Sequence, residues 1–176
     1  MEKIIKEKDD KIDPRTIESY LFAIEIDEKK YDSAQKRATA MVEKYPWWYQ
    51  AYFYLGEVYR YKKELIEAEK YYLKANEISE SAFVYARLAY VHYEEYKNYE
   101  KCLEFYKKAL EINESAIMIQ TSAFAAAYSA INLDKIDDAY FILKKLGENN
   151  LNLDKDESYM HLKEQCTIYL KNRDDI

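Results

Sequence analysis

The chain predicts an all-α fold: an α-α superhelix, a right-handed solenoid of about four helical hairpins closed by a C-terminal capping helix. Three observations carry this. Apolar residues recur at helical spacing. Tyr52, Leu55, Gly56 and Tyr59 fall on one face of a helix, and Leu65, Ala68, Tyr72 and Ala75 on one face of the next. Only two Gly and two Pro occur among 176 residues, which leaves little for sheet turns or long loops. Finally, Ala34, Ala68 and Cys102 recur at intervals of 34, as do Met41, Ala75 and Ala109. A hairpin of that size cannot bury its apolar stripe alone, so copies must stack.

The elements follow in order. Residues 1–12 are mostly charged and are expected to fray, so 1–13 reads as a tail. Asp13-Pro14 starts the first helix, Asp as N-cap and Pro at the first helical position. Ile17, Tyr20, Leu21 and Ile24 form its expected core stripe. The second helix begins near Tyr31, carries Ala34, Ala38 and Met41, and stops at Tyr45-Pro46, because a residue before Pro is pushed out of the helical region. The second hairpin spans about 47–80. In the third, about 81–114, Leu88 to Cys102 is one residue longer than Leu55 to Ala68, which puts an extra residue in the turn near 95–98. Tyr20 to Ala34 has that same longer spacing, so the first hairpin, about 14–46, is aligned in that register. A looser fourth, about 115–147, has Ala123, Ala126, Ala127 and Ala130, then Leu133, Ile136, Ala139 and Leu143, with three residues added before it. Together the hairpins make an array over 14–147.

Gly147 and the polar residues after it read as a C-cap. Over 148–176, a linker leads to a last helix. Asp154 and Glu157 suggest a capping box, and Tyr159, Leu162, Cys166 and Tyr169 line one face. That helix is expected to cover the open end of the array. Gly56 marks a close helix approach, with Ala89 and Ala127 in the matching places. Ala is expected to be tolerated at Gly56 and Leu to overpack.

With these residues in view, the chain resembles the tetratricopeptide-repeat family. Its pattern W-x-x-L-G-x-x-Y…A-x-x-x-F…A…P appears as Tyr52, Leu55, Gly56, Tyr59, Ala68, Tyr72 and Ala75. It appears again as Tyr85, Leu88, Ala89, His92, Cys102, Tyr106 and Ala109. Glu80 stands where Pro is usual, and Leu21 where Gly is usual. The resemblance implies a scaffold for protein binding whose inner face is built from the first helix of each hairpin.

Composition narrows the function. The formal charge is −6, and Lys and Glu interleave along the helices without a basic stripe, which argues against nucleic acid. No run is apolar enough for a signal peptide or a membrane span, so a cytoplasmic location without membrane contact is expected. Cys102 and Cys166 fit a reducing compartment, and with His92 and His161 they make no metal-ligand spacing. Most of the 20 Tyr are expected to fill core positions. No nucleophile elbow, phosphate loop, HExxH or CxxC occurs, so no catalytic residue, metal or cofactor is assigned and a non-enzyme is expected.

The residues next to the buried stripes of the first helices define a candidate protein-binding groove: Phe53, Glu57 and Arg60, then Phe83, Tyr90 and Tyr93, then Phe124 and Tyr128. Tyr90 and Tyr93 are expected to project into it, flanked by Phe53 and Phe124. An aromatic surface with few charges usually marks an interaction site. Competing readings are that these rings pack on one another, or that the C-terminal helix folds over them. The family's two-carboxylate clamp for chaperone tails needs Lys and Asn on these faces. Phe53, Glu57, Ala86 and Tyr90 stand there instead, and Arg60 and Arg87 alone do not make a clamp. The expected partner is a protein or peptide segment, bound by an adaptor or chaperone-like module. The alternative is structural self-association into a homo-oligomer through the groove or the repeat ends.

Overall fold

The computed structural model describes residues 12–113, 119–149 and 153–174. Much of the charged N-terminal stretch, residues 1–11, lies outside them. Nine α-helices occur among the described residues, and no strand: α1 Pro14–Asp27, α2 Tyr31–Lys44, α3 Tyr49–Tyr61, α4 Leu65–Ile78, α5 Ala82–Glu94, α6 Tyr99–Ile112, α7 Gln120–Asn132, α8 Ile136–Asn149 and α9 Glu157–Asp174. They pair as hairpins α1/α2, α3/α4, α5/α6 and α7/α8. Each hairpin packs on the next, and α9 docks on α8 and α7.

Local chemistry explains the boundaries. The Asp13 side chain accepts the Arg15 backbone N–H at 2.8 Å, and Pro14 opens α1 as expected. Each hairpin turn contains one left-handed residue: Lys29 (φ 58°), Lys63 (66°), Lys97 (50°) and Asp134 (57°). The first three repeat at intervals of 34. In three of these turns the next N–H reaches back five residues to a helix carbonyl: Lys30 to Glu25, Glu64 to Tyr59 and Lys135 to Ala130, at 2.8–2.9 Å. This satisfies an otherwise orphaned helix-end acceptor. The third turn, residues 95–98, is the longer one, and Asn98 reaches back to His92 at 2.9 Å. The added residues of the fourth copy fall between α6 and α7, where 113–119 replaces the 79–81 link between α4 and α5.

The stripes of α2, α4, α6, α7 and α8 are buried as expected, with Tyr72, Tyr106 and Tyr159 fully enclosed. Cys102 is a buried free thiol whose pKa burial pushes up to about 11. That suits a small core residue rather than a reactive one.

Four expectations need correction. The turn after α1, residues 28–30, is as short as 62–64. The first hairpin therefore lacks the extra residue, and Phe22, not Leu21, matches Gly56. Consequently Phe22 is the buried residue of α1, while Ile17, Tyr20, Leu21 and Ile24 are exposed. Gly147 lies inside α8 rather than capping it. A Cβ there would collide with the Tyr159 hydroxyl, so its role is to admit the α9 ring. The N-cap of α9 is Asp156, whose Oδ1 accepts from Tyr159 N at 3.0 Å, and not Asp154, which lies in a short 3-10 turn. On α9 itself, Tyr159 and Cys166 are buried but Tyr169 faces out.

Candidate protein-binding groove

The first helices of successive hairpins lie side by side on one surface. α5 packs directly on α7, and one residue ties three of them together. Arg87 on α5 places Nε 2.9 Å from Glu57 Oε1 on α3, an off-line ion pair. Its Nη1 donates to Thr121 Oγ1 on α7 at 3.4 Å.

Glu57 is the centre of this ladder. It is buried on α3, and Arg60, one turn later, forks onto both its oxygens at 3.0 and 2.9 Å. The Tyr72 hydroxyl of α4 donates to Oε1 at 2.5 Å. Burial alone would raise the Glu57 pKa, but the Arg87 and Arg60 charges, with the Tyr72 hydroxyl, hold it below the usual carboxylate range. The same burial and carboxylate push Tyr72 well above its ordinary value. The Arg60 guanidinium also lies 4.1 Å over the Tyr61 ring. Both Glu57 and Arg60 are thus engaged by this chain itself.

The aromatic candidates separate into groups. Phe53 is half-buried and leans on Tyr72 with ring centroids 5.8 Å apart. Phe83 is exposed at the start of α5, and Tyr90 is half-buried against the core. Tyr93, Phe124 and Tyr128 come together. They line a cavity of about 640 Å³ between α5, α7 and α9, whose other walls include Gln120, Asp156, His161 and Leu162. Tyr128 meets Tyr93 edge-on at 5.7 Å, and Tyr99 braces both at 6.3 Å. Lys97 Nζ sits 5.2 Å from the Tyr93 ring centre. The volume suits a few side chains of a ligand.

Four contributors, Arg87, Thr121, His161 and Leu162, are missing from the groove assigned from the sequence. Arg87 and Thr121 lie on neighbouring first helices but about one turn out of register, since α7 starts 38 residues after α5, so the repeat spacing does not pair them. Leu162 and His161 come from α9, which forms a wall of the cavity rather than a lid. Nothing in the sequence gives that docking angle.

No protein-family model matches this sequence, and no curated protein matches it. The fold does match. It superposes with a TM-score of 0.65 on YrrB, described as a TPR protein with an unusual peptide-binding site, over 86% of this chain and 75% of that one, at 18% identity. The fold is that of a tetratricopeptide-repeat array. Among the described residues of this TPR-like array, no helix is long and apolar enough to cross a membrane.

Proposed function

We propose that the array is a protein-interaction module that holds a segment of another protein along α3, α5 and α7. The segment's anchoring side chain enters the cavity between α7 and α9. The observation that carries this is the convergence of Tyr93, Phe124, Tyr128 and Leu162 on one open cavity with polar groups, Gln120, Asp156 and His161, at its walls. Apolar walls supply affinity and a few polar groups fix orientation. The similarity to YrrB, described as having a peptide-binding site, supports the same class of ligand. Arg87 and Arg60 outnumber Glu57 in charge, so the floor beside the cavity favours a ligand with an acidic group. Glu57 itself acts as the pin that aligns the first helices.

Selection of a displayed random-peptide library on the full chain tests this reading. Selected peptides are expected to lose about 30-fold or more in affinity for a Phe124→Ala, Tyr128→Ala variant, the loss typical of a truncated aromatic anchor. Unchanged affinity in a folded variant would move the site elsewhere.

A further inference from the structure

The first helix carries a second binding surface. Taken from the left-handed turn residues, the structural period aligns Ile17, Leu21 and Ile24 of α1 with Ala51, Leu55 and Val58 of α3. Counted from the helix starts, because the turn after α5 carries one extra residue, the equivalent positions are Val84, Leu88 and Val91 of α5, then Ser122, Ala126 and Ser129 of α7. In α3, α5 and α7 these nine residues are at most 4% exposed, and the preceding hairpin's second helix packs on that flank. In α1 the same three positions are 47%, 39% and 51% exposed. They are also bulkier: Ile, Leu and Ile. Isolated exposed apolar residues are ordinary, but a complete socket at the register of an interface used three times in the same chain is not.

We infer that the Ile17–Leu21–Ile24 face of α1 is a docking site for one amphipathic helix of a partner protein, seated as α2 is seated on α3. The internal copies state the chemistry of that helix. α2 presents Ala34, Ala38 and Met41, offsets 0, +4 and +7, all buried in one cluster with Ala51, Leu55 and Val58. α4 presents Ala68, Tyr72 and Ala75 in a cluster with Val84, Leu88 and Val91. The incoming helix therefore needs a small residue in its first turn and small or apolar residues at the next two positions. The rim adds a charge requirement. In the filled joint Lys62 donates to Asp32 and Gln35 of α2, both at 2.7 Å, and Gln35 bonds the Tyr59 hydroxyl at 3.1 Å. One period earlier the places of Lys62 and Tyr59 are held by Glu28 and Glu25. Glu25 is bound by Arg37 and Ser33, while Glu28 pairs with Lys30 at 2.7 Å with both side chains more than half exposed, a pair that contributes little and can exchange partners. At the place of Lys62 the sign is reversed to that of Glu28, so the partner helix carries a basic residue where α2 has Asp32.

The test uses the full chain and two capped 14-residue peptides, one with the sequence of residues 31–44 and one carrying Asp32→Lys. Calorimetric titration is expected to show one-to-one binding of the Asp32→Lys peptide, several-fold tighter than the unaltered one. Leu21→Glu and, separately, Ile24→Glu are expected to weaken binding at least tenfold. Both sites are exposed, so melting temperatures stay within a few degrees. The Phe124→Ala, Tyr128→Ala variant is expected to bind the peptide like the parent, which separates this surface from the groove. No binding, or equal binding by both Glu variants, would overturn the inference. So would a concentration-dependent dimer abolished by Leu21→Glu, which would make a second copy the occupant. Binding seen only after removal of residues 1–11 would make the chain's own start the occupant and overturn it equally.

Discussion

At the residue scale, the two glycines share one purpose. Gly56 faces Tyr72 of α4 and Gly147 faces Tyr159 of α9, and each lacks a Cβ because a tyrosine ring occupies its place. At Gly56 a Cβ would stand 2.6 Å from two Tyr72 ring carbons and 3.3 Å from the Ala68 carbonyl oxygen. Tyr72 cannot swing aside, because it is fully buried and its hydroxyl is held by Glu57. The sequence alone makes Gly56→Ala look harmless, since Ala89 and Ala127 occupy the matching sites. The ring of Tyr72 reverses that: Gly56→Ala is expected to cost about 1–3 kcal/mol of stability, read by denaturant titration. Glu57 looks like a groove-rim charge for a similar reason. Its i,i+3 partner Arg60 is visible in the sequence, but the approach of Arg87 across the helix interface is not. Glu57→Gln leaves two guanidiniums short of their counter-charge and is expected to cost about 3 kcal/mol. Because the folded pKa of Glu57 lies below its ordinary value of 4.5, its contribution is present above that value and fades as pH falls through the folded one. Melting temperatures of parent and Glu57→Gln should therefore converge as the pH falls below 4.5. A gap that stays constant would show that Glu57 does not titrate in that range.

At the element scale, the hairpin turns show why some boundaries are legible and others are not. Asp13-Pro14 and Tyr45-Pro46 are local signals, and α1 and α2 begin and end on them. The left-handed turn positions carry Lys or Asp instead of Gly, so the sequence does not announce them. Once known, their spacing exposes the register of the first hairpin, which Tyr20-to-Ala34 counting misplaces by one. Gly147 misleads for the opposite reason: a Gly near a helix end reads as a cap unless a ring from another element fills its space. A non-Gly residue at positive φ costs about 1–2 kcal/mol, part of which Gly returns as unfolded-chain entropy. Lys63→Gly is therefore expected to stabilise the chain by about 0.5–1 kcal/mol, shown by a raised denaturant midpoint. A fall would mean that the Lys63 side chain makes a contact worth more than the backbone strain.

At the scale of the whole molecule, the period of 34 is the deepest signal, and it makes the stack of hairpins legible from the order of residues alone. Contacts run between neighbours, as a quasi-linear array requires. The two ends differ. α9 covers the last hairpin with Tyr159 and Cys166, whereas α1 presents a bare apolar stripe that reads as core because a stripe shows its pattern without showing its partner. The groove is legible only in part. Neighbour counting finds Tyr93, Phe124 and Tyr128 along with Phe53 and Tyr90, but it does not show that the first three converge on one cavity with α9.

Amide hydrogen exchange of the full chain, with and without a library-selected peptide, tests the central claim of a peptide groove most directly. Slowed exchange is predicted in residues 120–128 of α7 and 157–162 of α9, which flank the Tyr93–Phe124–Tyr128 cavity. Protection confined to α1 and α2, with α7 and α9 unchanged, would contradict it.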